Sequence, residues 1–153
     1  MCCSNSWLTI GAVMGALGVA IGAFGAHGVD TYFAENYEGQ THQILGKSVP
    51  TAEKFLADYK TAATYQMYHA LALVAVGLLS QVKPKRSLQL AGFCFLGGIV
   101  LFCGGLYIYT LADQRFFGII PVPIGGTLFI IGWIALAIAA CPCGTKASDS
   151  TTS

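Results

Sequence analysis

Charge is scarce in this sequence. Eight of 153 residues are Lys or Arg and seven are Asp or Glu, 10% in all, where a soluble domain carries about 25%. So few charges cannot cover a water-facing surface, which excludes a conventional soluble domain. The formal net charge is +1, with no basic stripe, so nucleic acid is excluded as a partner. There is no nucleophile–base pair, P-loop or GxGxxG segment, and the chain is read as having no enzymatic activity. The six cysteines form no C-x2-C pair of the kind that holds zinc. Cys94 and Cys103, nine residues apart, fall on opposite helix faces and read as small apolar residues. Cys2, Cys3, Cys141 and Cys143 flank the apolar region and read as juxtamembrane thiols, with reversible acylation as the alternative.

What the sequence has in abundance is hydrophobic runs. Hydrophobic residues make up 55% of the chain and the mean hydropathy is +0.65. A helix crossing the hydrocarbon core needs roughly 20 mainly apolar residues. Four stretches qualify: about residues 7–27, 61–82, 87–111 and 116–140. A Lys, Arg or Asp at a span centre costs about 2.5–3.5 kcal/mol on the insertion scale. The expected fold is therefore an all-α membrane protein, a four-transmembrane-helix bundle occupying residues 7–140. Strands are excluded because these runs lack the period-two alternation of a membrane barrel. No Lys or Arg precedes the first run, and it is longer than a signal-peptide core, so it reads as a retained span.

Residues 28–60 form the one sizeable polar loop. Its second half reads as helix, with Thr51 as N-cap, Glu53 in the first turn, and Phe55, Leu56 and Tyr59 on one side. That helix should run on into the second span. Pro121 and Pro123 break the entrance to the fourth span, and regular helix is expected from Pro123, with residues 116–122 an interfacial or re-entrant approach. Residues 141–153 read as a flexible tail. Lys83, Lys85 and Arg86 crowd a short loop between two span ends, which favours that loop and both termini on the cytoplasmic side.

Gly11, Gly15, Gly18, Gly22 and Gly25 recur at spacings of 4, 3, 4 and 3, so they share one face of the first span. Lipid supplies no hydrophobic drive for helices to associate, so small residues that let backbones approach mark the packing face. Glycines 97, 98, 104, 105, 125 and 132 repeat the device in the third and fourth spans.

The second span opens with Tyr65, Gln66, Tyr68 and His69 ahead of a wholly apolar half. Polar groups in hydrocarbon are costly, so Tyr65, Tyr68 and His69 should look into the bundle, with Gly104 and Gly105 leaving room for the imidazole. Alternating topology puts His27 and Tyr107 on the same membrane side, giving a candidate polar cluster of His27, Tyr65, Gln66, His69 and Tyr107. One reading is a ligand, proton or ion site; the other is interfacial tyrosines and a histidine bonded across helices. His27 and His69 differ by roughly 10 Å in depth, so no metal or haem site is expected, and no cofactor.

Four motifs occur in order: "GAFGAHG" (Gly22 to Gly28), "YQMYHALAL" (Tyr65 to Leu73), "FCGGLYIYTL" (Phe102 to Leu111) and "PIGGTLFIIGW" (Pro123 to Trp133). Together they resemble the transmembrane protein 256 / YgdD-like family, small multi-pass membrane proteins that form a domain of unknown function. The resemblance covers residues 7–140 and implies a helical multi-pass protein, without implying an activity. The family pattern in span three is closer to F-S-G-S-L-Y, where this chain has Cys103 and Gly105. The expectation that follows is an integral membrane protein, structural or accessory through helix packing with itself or another membrane protein. The alternative is a small transporter or channel subunit using the polar face of span two. A bacterial inner membrane is the expected location.

Overall fold

The computed structural model describes residues 2–141, and the side chains of residues 2–5 and of His27 lie outside that description. The tail after Cys141, with Cys143 and Lys146, is likewise outside the described residues. Helix α1 (Cys2–His27) is followed by the short α2 (Val29–Asn36), a two-stranded hairpin of β1 (Thr41–Ile44) and β2 (Lys47–Pro50), and the long α3 (Thr51–Val82). Then come α4 (Arg86–Gly98), a π-helical turn (Ile99–Cys103), α5 (Gly104–Ala112), α6 (Arg115–Ile119) and α7 (Pro121–Ala140). Among the described residues four helices are long and apolar enough to cross a membrane: Ser6–Ala26, Thr51–Val82, Arg86–Ala112 and Arg115–Ala140. The fold is a four-helix membrane bundle.

The first loop holds more structure than its polarity suggests. α2 folds back so that Val29 and Phe33 bury against Phe55 and Tyr59 of α3, a small second core at the loop end of the bundle. The hairpin pairs Thr41 with Pro50 and Ile44 with Lys47. Its two-residue turn has Leu45 at φ 49° and Gly46 at φ 78°, the left-handed pair that matches the twist of flanking strands. Thr51 begins α3 as its first helical residue, while Pro50 holds the cap position without a side-chain bond. Its hydroxyl instead meets His42 Nδ1 at 3.1 Å, tying the hairpin to the helix. With 32 residues, α3 is about 48 Å long, well over the roughly 30 Å of hydrocarbon. Its first three turns therefore stand in the headgroup layer.

α1 and α3 are antiparallel, since Gly11 meets Ala70 and Val74, Gly18 meets Gln66, and Gly25 meets Tyr59. A Cβ on Gly11 would lie 2.7 Å from the Val74 nitrogen, and one on Gly77 would lie 2.6 Å from that of Leu8. These backbones touch. Gly15 makes one ordinary contact with Ala70, whereas Gly22 faces open space, so the five-glycine seam is occupied at four positions. α7 runs antiparallel to the third span, with Gly125 against Phe102, Gly98 against Phe129 and Gly132 against Phe95.

Two expectations change here. Both prolines fit the first turn of α7, which begins at Pro121 rather than Pro123, with α6 as a separate helical turn before it. A proline at a helix start gives up no hydrogen bond, so neither breaks the helix. Cys94 and Cys103 do not take opposite faces, for both are buried. The π-helical turn between them takes up about one residue's worth of rotation and returns Cys103 to the inner side.

Candidate functional site

The polar residues of α3 enter two separate networks. Gln66 is buried, and its amide bridges three helices. Its Nε2 donates to the Met14 carbonyl at 3.0 Å, and its Oε1 accepts from the Tyr107 hydroxyl at 3.0 Å. The Tyr107 ring lies 5.2 Å from that of Tyr59, whose hydroxyl donates to the Ile21 carbonyl at 3.0 Å. This network ties α1, α3 and α5 together with every polar group paired.

His69 is buried nearly one turn further along α3, where it faces α7. Its ring stacks on Phe129 with centroids 3.4 Å apart and planes 8° from parallel. Nδ1 lies 2.7 Å from the Tyr65 carbonyl, and the Trp133 indole N–H donates to Nε2 at 3.3 Å. A carbonyl only accepts and an indole N–H only donates. Nδ1 therefore carries the proton and Nε2 its lone pair, which describes a neutral imidazole. The room expected at Gly104 and Gly105 is used differently: Gly105 takes Phe117, Pro121 and Val122, and His69 lies against Phe129, Phe95 and Trp133.

Tyr65 and Tyr68 depart further from expectation. They are 41% and 58% exposed and line the outside of the bundle rather than its interior. The Tyr65 ring lies 5.1 Å from that of Phe102 at the rim of the bundle, and of the expected triad only His69 is buried. With Leu71, Phe102, Ile130 and Trp133 the two tyrosines border an apolar groove of about 690 Å³ between α3 and α7. His27 closes α1, and its side chain lies outside the described residues.

A second cavity of about 370 Å³ sits at the loop end, bordered by His42, Lys54, Asp58, Tyr109 and Arg115. Lys54 Nζ pairs with Asp58 Oδ2 at 2.5 Å and stands 5.1 Å from the centroid of the Tyr109 ring. The Arg115 side chain has no ion pair or hydrogen bond among the described residues. Sequence reading passed over this cavity because its members come from four elements. Arg115 and Lys54, 61 positions apart, carry no spacing signal. At the opposite end Lys85 Nζ donates to the Ala139 carbonyl at 2.7 Å, satisfying a free acceptor at the C-terminus of α7.

Paired glycine helices, buried polar side chains bonded across helices, and apolar outer faces define a multi-pass helical membrane protein. The chain belongs to the family described as "Protein of unknown function (DUF423)", whose pattern matches residues 21–126. It is 38% identical over 133 residues to a UPF0382 membrane protein of Staphylococcus epidermidis, covering 87% of this chain and 93% of that one. It is 37% identical over 135 residues to the UPF0382 membrane protein YwdK of Bacillus subtilis, covering 88% and 94%. No solved structure matches.

Proposed function

We propose that the chain is a non-enzymatic structural or accessory protein of a bacterial inner membrane, acting through helix packing with a second copy or another membrane protein. One observation carries the reading: α1 is the least enclosed span. Its apolar window is 17% buried, against 50% for the third span. Val13, Leu17, Val19 and Phe24 are exposed on it, and Gly22 has nothing within 4 Å of where a Cβ would stand. Small residues on an open face are the usual means by which membrane helices meet. The orientation with both termini cytoplasmic, and the narrower kinship with transmembrane protein 256 / YgdD-like proteins, belong to the same reading. A transporter acting through Tyr65, Gln66 and His69 is less favoured, because the amide of Gln66 and both nitrogens of His69 are already engaged.

Crosslinking and native mass measurement in mild detergent test this. A dimer or larger assembly, or a co-purifying membrane protein, is expected, and Gly22→Leu should dissociate it without changing thermal unfolding. A strictly monomeric chain that supports solute flux in vesicles, with the flux lost in His69→Leu while the fold stays intact, would overturn it.

A further inference from the structure

The groove and the loop-end cavity are two ends of one surface. On α3, Lys54, Asp58, Thr61, Tyr65 and Tyr68 follow spacings of 4, 3, 4 and 3 and so share a face. The third span continues it: Phe102 borders the groove, Leu106 and Tyr109 border the cavity, and they too are spaced 4 and 3. The fourth span lines the cavity with Gly118 and Ile119 and the groove with Gly126 and Ile130. Three elements thus present the same strip, charged at the loop end and apolar below it.

The depths suit a lipid. Lys54 lies 11 residues before Tyr65, about 16 Å along the helix axis. The cavity stands in the headgroup layer, and the groove stands beside the upper acyl chains. Charge suits the same occupant. Two cations, Lys54 and Arg115, face one carboxylate, Asp58, across the cavity, and the carboxylate is taken by Lys54. Arg115 is left with its donors unmatched among the described residues, at a site open to the headgroup layer. A guanidinium presents paired N–H groups that fit two phosphate oxygens. Lower down, the hydroxyls of Tyr65 and Tyr68 have no partner among the described residues, and their rings are exposed beside the groove. They stand at the depth of the ester carbonyls.

We propose that this strip binds one anionic glycerophospholipid, its phosphate held by Arg115 and Lys54 and one acyl chain laid in the groove between α3 and α7 against Phe129, Ile130 and Trp133. The inference is independent of whether the protein self-associates, since the strip lies on α3, the third span, α6 and α7 and leaves α1 untouched.

Native mass spectrometry of the full chain in detergent, titrated with phosphatidylglycerol or with phosphatidylcholine of the same chains, tests it. Phosphatidylglycerol should bind one per chain and more tightly than phosphatidylcholine. Arg115→Gln removes an exposed cation, and a basic residue near the membrane surface contributes about 1 kcal/mol, so about five-fold weaker binding is expected. Gly126→Leu fills the groove: its Cβ would meet Phe102 at 3.8 Å, an ordinary contact, so the helix accommodates it. It should weaken binding at least as much while leaving the melting temperature in detergent unchanged. Inorganic phosphate at millimolar concentration should not displace the lipid. Equal binding of the two lipids with Arg115→Gln unaffected would overturn the headgroup site. Displacement by inorganic phosphate, together with an unaffected Gly126→Leu, would overturn the acyl groove.

Discussion

The glycines of the two antiparallel helix pairs meet two different kinds of partner, main chain and aromatic ring. Between α1 and α3, Gly11 and Gly77 bring main chain against main chain, and a Cβ at either would fall within 3 Å of a backbone nitrogen. Gly125 does the same against Phe102 between the third span and α7, whereas glycines 98 and 132 there, and Gly25 between α1 and α3, are sockets for the rings of Phe129, Phe95 and Tyr59. The first device needs closeness and tolerates no intruding atom. The second needs a hollow for a large side chain, which can shift when the hollow is partly filled. Residue type alone does not distinguish them; the partner does.

Substitutions can sharpen or break that contrast. Gly11→Ala should have the largest effect, about 3 kcal/mol, because the atoms it meets belong to the backbone of α3 and cannot rotate away; reversible unfolding in mixed detergent micelles measures it. Gly132→Ala should cost less, about 1–2 kcal/mol, since the nearest atoms are the ring carbons of Phe95 at 2.7 Å. If the second loss equalled or exceeded the first, the distinction between rigid and yielding partners would fall. Gln66→Leu should cost about 1 kcal/mol in the same assay, the sum of two modest interhelical bonds. It would leave the Tyr107 hydroxyl unpaired, and Tyr107→Phe in that background should restore part of the loss.

The four spans were legible because lipid imposes a length and forbids charge, and both are properties of single segments. The glycine face of α1 was legible for a similar reason: periodicity is written along one helix. What was hidden depends on pairs of distant segments. Nothing around Gln66 names the Met14 carbonyl, and nothing around His69 names Trp133, 64 residues away. The hairpin at residues 41–50 was read as loop because its turn is Leu45-Gly46, not the Asn-Gly or Asp-Gly pair that announces such turns. The outward stance of Tyr65 and Tyr68 was missed by treating a whole polar face as interior. At the depth of the ester carbonyls, just below the headgroups, a phenol can satisfy itself in the interface.

The π-helical turn at Ile99–Cys103 has a consequence for how this chain tolerates change in length. It holds one residue more than the surrounding helix winding requires. Removing a single residue there would relax the segment into ordinary α-helix with unbroken hydrogen bonding. The angular phase of everything downstream would stay as it is, because the wide turn already absorbs that residue's rotation of about 100°. Tyr107 would keep its bond to Gln66, and Thr110 would stay buried. A span made perfectly regular without losing that residue would be the one that no longer closes the bundle.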